Sequence, residues 1–100
     1  MPPYSTVAIL RASSPSSESC YKFLDKAKNL LNNKKNIYVV GPLPSIPSKV
    51  KGNTRNHLII KSDKRTYLNR VLRYLTYEIQ NWSETKKVKW SYDIDPYDMS

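Results

Sequence analysis

Two polar residues, Arg65 and Asn69, have types and spacing that could capture an anion. They lie four residues apart, which puts their side chains one turn apart on the same face if this segment is helical. Arginine presents a planar set of donors that fits a carboxylate or a phosphate, and asparagine adds a donor and an acceptor beside it. The pair could hold the acidic end of a peptide, and the same spacing equally fits a solvated helix face.

Positive charge is concentrated in the middle of the chain. The segment between Lys49 and Arg73 holds eight lysines and arginines and one acid, and the whole chain has 17 basic against 8 acidic residues, a net charge of +9. Such an excess attracts polyanions, although lysines can also simply solvate a surface. The candidate contacts to a polyanion, whether a nucleic acid such as DNA or an acidic peptide, are Lys49, Lys51, Arg55, Lys61 and Arg73.

Residues for catalysis or metal binding are scarce. The chain has one histidine, His57, one cysteine, Cys20, and two glycines, which leaves too few ligands for a structural zinc site and excludes a glycine-rich phosphate cradle. Asp93 and Asp95 share one strand face, as metal-binding carboxylates could, but strand alternation alone explains them. We expect no catalytic residue, no metal and no cofactor in this chain, and therefore a binding module.

Apolar residues at three- and four-residue spacing predict two amphipathic helices, over about 15–32 and 63–82. Ser14, followed by a proline, is the expected cap of the first helix, and Ser62 or Asp63 that of the second. The predicted core stripes are Cys20, Phe23, Leu24, Ala27, Leu30 and Leu31, then Leu68, Val71, Leu72, Leu75 and Ile79.

Four strands are predicted, over about residues 4–12, 37–41, 55–61 and 87–95. The last alternates strictly between apolar and polar residues, so one face of it should be buried. Residues 42–53 hold three prolines and a glycine and are predicted to form a long loop without continuous pairing.

The predicted order is βαββαβ, an α+β fold of the ferredoxin-like type. Right-handed crossovers would place both helices on one face of a four-stranded antiparallel sheet and leave the other face for partners. A single domain is expected over residues 1–100. Apolar runs are shorter than a membrane span and no secretory pattern opens the chain, so we expect a cytoplasmic protein without membrane contact.

Four segments match, in order, the patterns of a known family: PPYSTVAILRA, VVGPLP, GNTRNHLII and VKWSYDIDPYD. They resemble its Pro-Pro-aromatic strand ending in Arg-Ala, its Gly-Pro-x-Pro, its Gly-x-x-Arg, and its closing Val-Lys/Arg-Trp-x-x-Asp-Val-Asp-Pro. The chain thus resembles the C-terminal domains of PriA (primosomal protein N-prime). It departs from the family at two positions. Asn56 stands where the family often has an aromatic residue, and Asn69 stands where glutamine is common.

The resemblance implies a non-catalytic docking domain at the end of an ATP-dependent 3′-to-5′ DNA helicase of bacterial replication restart, with a fold similar to a small-subunit ribosomal protein. It implies ATP, magnesium and zinc sites in domains upstream of Met1. The implied partners are forked or single-stranded DNA, the acidic tail of single-stranded-DNA-binding protein and other domains of the same helicase. Arg65 and Asn69 match positions associated with the pocket for that tail.

Three alternatives remain. A free-standing ribosomal or RNA-binding protein of similar topology would also be small and basic, but the closing VKWSYDIDP segment disfavours it. An RNA-recognition domain would stack bases on aromatic residues of its central strands, and RNHLIIK has none, although Tyr38 could stack one base. A small ferredoxin-like hydrolase would lack a convincing catalytic set.

Overall fold

The chain folds in the order β, α, β, β, α, β that its apolar patterns predict. A computed structural model describes residues 6–94, apart from the side chain of Glu84. Its elements are β1 (Thr6–Ser14), α1 (Ser17–Leu31), β2 (Ile37–Val50), β3 (Asn53–Ser62), α2 (Arg65–Gln80), a short 3₁₀ helix (Ser83–Lys87) and β4 (Lys89–Ile94). The strands form one antiparallel sheet in the order β2-β3-β1-β4, which confirms the predicted α+β fold.

The two faces of the sheet differ because burial alternates along β1. Ala8, Leu10 and Ala12 are buried, whereas the residues between them are partly exposed. Since successive side chains of a strand point to opposite faces, one face of β1 is entirely core. Leu58 and Ile60 of β3 are fully buried on the same side, because they pair with Leu10 and Ala8.

Both helices cover that buried face. The predicted stripes of α1 and α2 are buried except for Leu30, which is partly buried, and they join the buried residues of β1 and β3 in one apolar cluster. Phe23 of α1 packs edge-to-face against Trp82, with ring centroids 5.8 Å apart. Each large apolar side chain buried in this way contributes roughly 1.5–3 kcal/mol to stability. Within residues 6–94, neither helix has the length and apolar character to span a bilayer.

The prediction of a loop over residues 42–53 was wrong, because β2 continues to Val50 and β3 begins at Asn53. Pairing between the two strands shifts register twice, after Val40 and after Pro44. Prolines cannot donate to a ladder but are tolerated on edge strands, and β2 is one of the two edge strands of this sheet. The position of the strand, which the local sequence does not reveal, overrides the proline signal.

The predicted helix caps were also wrong. Helix α1 is capped by Ser16, whose Oγ accepts from the Ser19 amide, whereas Ser14 is buried and donates from Oγ to the Lys87 carbonyl. Helix α2 begins after Lys64 with no side-chain cap. Residues 4 and 5 of the first predicted strand and residue 95 of the last lie outside the described residues.

Gly41 lies at the first register shift between β2 and β3. Lys28 Nζ of α1 donates a hydrogen bond to the Gly41 carbonyl at 2.8 Å. The φ of Gly41 is +125°, a conformation that costs a residue with a Cβ roughly 1–3 kcal/mol. A Cβ at this position would also lie 3.0 Å from the carbonyl oxygen of His57.

We therefore predict that Gly41→Ala lowers the free energy of unfolding more than Gly52→Ala does. Gly52 also has a positive φ, +83°, but a Cβ there would meet nothing within 4 Å. Urea denaturation of the two variants measures the difference. Equal losses would show that the contact with the His57 carbonyl imposes no constraint.

Candidate anion-binding site

The face of the sheet that the helices leave uncovered, called here the open face, carries a row of polar side chains across three strands. Ser13 of β1 pairs with Arg55 of β3 on one side and with Lys89 of β4 on the other. Paired residues point to the same side, and neighbouring strands lie about 4.8 Å apart. The backbones of the two cations are therefore about 10 Å apart, with a hydroxyl between them.

A second row lies two residues further along, with Arg11 of β1 between His57 of β3 and Ser91 of β4. Arg11 Nη2 donates to Asp93 Oδ2 at 2.9 Å, and the two side chains are 42% and 54% exposed. This ion pair directs the Arg11 guanidinium toward β4 on the open face.

The two rows line an open cavity of about 240 Å³, called here the cation pocket. Three cationic side chains from three different strands line it, and hydroxyl groups stand between them. Such a mixture of charged and neutral donors fits a tetrahedral oxyanion such as phosphate. The polar lining includes Arg11, Ser13, Ser45, Arg55, Lys89 and Ser91.

The irregular part of β2 forms one wall of the cation pocket. Ser45 is buried, and its Oγ lies 3.1 Å from His57 Nδ1. Arg55 Nη1 donates to the Pro47 carbonyl at 3.4 Å. The proline-rich segment therefore restrains two side chains of β3 that face the open side, which is a role that a loop prediction would not assign to it.

The structure separates the five predicted DNA contacts. Lys49 and Lys51 lie at the hairpin between β2 and β3. Lys49 pairs with Thr54, whose own partner is the buried Ser14, so Lys49 lies on the helix side of the sheet and Arg55 on the open face. Lys61 is on the open face with Arg55, but six residues further along β3, which is about 20 Å at the usual rise per residue of a strand. Arg73 is on α2, on the helix side of the sheet. The five residues thus do not form one surface.

Sequence reasoning missed Arg11 and Lys89 as candidates. A further cavity of about 310 Å³ beside the cation pocket is lined in part by Lys86, Lys87 and Lys89. Strand alternation does place Arg11 and Lys89 on the exposed face of their strands. Their meeting with Arg55, however, depends on the register of β1 against β3 and β4, which spacing along the chain does not show.

Arg65 and Asn69 lie on α2 as predicted, at its first residue and one turn later. Asn69 and Arg73 line a shallow cavity of about 390 Å³ together with Tyr92. The Tyr92 hydroxyl lies 3.0 Å from Thr76 Oγ1, and burial raises the pKa of Tyr92, so the phenol stays protonated. This cavity, called here the α2 groove, is a second candidate site, on the helix side of the sheet, and Arg65 is not among the residues that line it.

The remaining candidates lie elsewhere. Cys20 is fully buried and accepts a hydrogen bond from Asn56 Nδ2 at 3.5 Å, as suits a small core residue. Asp93 is paired with Arg11, and Asp95 lies outside the described residues. Across the part of the chain that the structure describes, no three His, Cys, Asp or Glu side chains gather as a metal site.

Comparison with known proteins shows which family the chain belongs to. Residues 1–97 match the family described as Primosomal protein N C-terminal domain. The chain belongs to this family. It is also 29% identical, over 102 residues, to the replication restart protein PriA of Buchnera aphidicola subsp. Schizaphis graminum. That alignment covers 97% of the chain but 14% of the relative, so the chain spans about one seventh of the protein it matches. The resemblance to PriA is thereby confirmed.

Solved structures similar to this PriA C-terminal domain support its fold. The de novo designed protein Foldit4 superposes with a TM-score of 0.65 at 14% identity, covering 90% of this chain and 94% of that one. A hydantoinase/carbamoylase family amidase from Burkholderia ambifaria gives a TM-score of 0.59 at 6% identity, over 90% of this chain and 27% of that one. At such identities the likeness concerns the fold alone.

Three of the segments that resemble the PriA family meet at the cation pocket. Arg11 belongs to the Arg-Ala end of the first segment, Arg55 to Gly-x-x-Arg and Lys89 to Val-Lys-Trp. These segments are far apart in the chain, and the sheet brings one cation from each into the same cavity.

The position of His57 predicts how the stability of the domain depends on pH. Burial, and then the charge of Arg11, lower the pKa of His57 below its usual 6.5. A histidine whose pKa is lower in the folded state supports stability fully above about pH 6.5 and loses that contribution as pH falls. Between about pH 7.5 and 5.5 the free energy of unfolding should therefore fall more in the wild type than in His57→Gln. Chemical denaturation at the two pH values measures both slopes, and parallel declines would contradict the assignment.

Proposed function

We propose that this chain is the non-catalytic C-terminal docking domain of a replication-restart helicase of the PriA type, and that it holds DNA through phosphate contacts at one end of its open face. The observation that carries the proposal is the convergence of Arg11, Arg55 and Lys89 in the cation pocket. Lys86 and Lys87 of the 3₁₀ helix line the adjacent cavity with Lys89, and the lysines of the β2–β3 hairpin lie at the same end of the sheet.

Contacts of this kind attract DNA without reading its sequence. Lysine and arginine bind phosphates by charge and release condensed counterions, which gives affinity and a strong salt dependence. Among the described residues that line the cation pocket, none is acidic, and Asp93 neutralises only Arg11. Forked or single-stranded DNA is the expected partner class.

The same proposal assigns the helix side of the sheet to a protein partner. Arg65 and Asn69, one turn apart on α2, would bind the acidic tail of single-stranded-DNA-binding protein. Asn69 and Arg73 line the α2 groove, and Arg65 would add its charge from the first residue of the helix. The Tyr92 hydroxyl and the exposed amide of Asn69 add polar groups to the charge. Other domains of the helicase would supply the remaining walls of this pocket, so the chain alone should bind the tail weakly.

The rest of the helicase would supply what this chain does not. ATP, magnesium and zinc would be bound by upstream domains, and the parent protein would act in the bacterial cytoplasm. The C-terminal domain would contribute binding surfaces, and the chemical step of ATP hydrolysis would occur elsewhere in the molecule.

For DNA, we predict a steep salt dependence. If about four phosphates of a single strand are contacted, the logarithm of the binding constant should fall against the logarithm of salt concentration with a slope near −3, because each phosphate contributes about 0.7. Fluorescence anisotropy of a labelled oligonucleotide at several salt concentrations measures the slope. Arg55→Gln should reduce it by about 0.7. Lys35→Gln, at the opposite end of the sheet, should leave it unchanged, and a flat salt response in the wild type would refute the proposal.

For the acidic tail, we predict that Arg65→Ala weakens binding and that Arg70→Ala, an exposed arginine on the same helix, does not. Titration of a labelled tail peptide, followed by NMR because the affinity is expected to be low, compares the variants with the wild type. Equal affinity of Arg65→Ala and the wild type would remove Arg65 from the site.

A further inference from the structure

We propose that the cation pocket is a discrete site for one phosphate group, and that Asp93 is its internal competitor, which the bound phosphate displaces from Arg11. The inference rests on the proposed function in one respect, since a DNA strand is taken as the natural source of the phosphate. The pocket itself is argued from the side chains that line it.

The arrangement across the strands suits an anion of this size. Arg55 and Lys89 start from backbones about 10 Å apart, and both side chains are long enough to converge above Ser13. The second row adds Arg11 and the Ser91 hydroxyl on the neighbouring side of the same cavity. A tetrahedral anion in this position would meet charged donors from three directions and neutral hydroxyl donors between them.

The arginines are restrained before any anion binds. The bond from Arg55 Nη1 to the Pro47 carbonyl uses one of the five N–H donors of a guanidinium. The bond from Arg11 Nη2 to Asp93 likewise uses one. Each arginine therefore retains donors for a ligand, while the contact already made restricts its orientation and lowers the entropy lost on binding.

Because Arg11 is paired with Asp93, an anion that binds Arg11 must compete with the Asp93 carboxylate. Both side chains are about half exposed, and ion pairs this accessible to water contribute little net free energy. A phosphate group held also by Arg55 and Lys89 would therefore replace the Asp93 carboxylate at Arg11. Asp93 in turn would repel anions that do not engage the other two cations, and so would favour a ligand that fills the whole pocket.

The test uses inorganic phosphate as the probe, with chloride replacing it at constant ionic strength in the control titration. Backbone amide shifts in two-dimensional NMR spectra locate the site and give the affinity, and the same spectra report whether each variant is folded. Phosphate should shift the amides of residues 11–13, 55 and 89–91.

Removing a cation from the pocket and removing the nearby anion each have a matched control elsewhere in the chain. Arg55→Gln should weaken phosphate binding about tenfold, the usual loss for a charged hydrogen bond, and Lys89→Gln provides a second variant with the same expectation. Lys35→Gln changes the net charge equally and should alter affinity less than about twofold. Asp93→Asn should tighten binding about threefold or more, whereas Asp25→Asn on α1 should have little effect.

The outcomes separate this inference from the DNA proposal. If phosphate shifts no pocket amide, if Arg55→Gln behaves like Lys35→Gln, or if Asp93→Asn behaves like Asp25→Asn, the pocket is not the site proposed. If an oligonucleotide binds with full affinity to Arg55→Gln and Lys89→Gln, DNA docking relies on other cations, and the DNA proposal is wrong for this pocket. If phosphate binds in the pocket but an oligonucleotide does not bind the chain, the inference holds for free phosphate and the DNA proposal fails.

Discussion

The alternation of side chains along β1 is the constraint on which both surfaces of the sheet depend. The strand is central, with β3 on one side and β4 on the other, so it must fill the core with one set of residues and supply the open face with the other. Ala8, Leu10 and Ala12 fill the core, and Arg11 and Ser13 lie on the open face. A slip of one residue would bury the cation and expose the core, so the register that stabilises the fold also positions the pocket.

The charge of the chain is distributed over this architecture rather than spread evenly. Basic groups gather where β1 ends and where β3 and β4 begin, because antiparallel pairing brings those strand ends together. The residues of the α2 groove lie on the other side of the sheet, behind the apolar cluster. A DNA strand and an acidic peptide would therefore occupy different faces of the domain without competing for the same cations.

Much of the fold could be predicted from the sequence because its signals are local. The apolar stripes of the helices are repeated over many residues and are confirmed by burial. The alternation of the last strand is matched by residues that are exposed and partly buried in turn. The extent of β2 could not be predicted, because whether a proline breaks a strand depends on whether that strand lies at the edge. The same limit applies to the candidate site: Lys61 and Arg55 are close in sequence and lie at opposite ends of β3, whereas Arg11, Arg55 and Lys89 are far apart in sequence and share a cavity.

The prolines of β2 have a consequence for how the molecule behaves in a crowded solution. An outermost strand with regular, unpaired amide and carbonyl groups invites another chain to add itself to the sheet, which is a common route to aggregation. Pro42, Pro44 and Pro47 have no amide hydrogen, and the pairing of β2 with β3 shifts register twice, so this edge strand lacks a continuous row of regular donors. The segment that looks least like a strand in the sequence thus protects the sheet from growing beyond its own boundary.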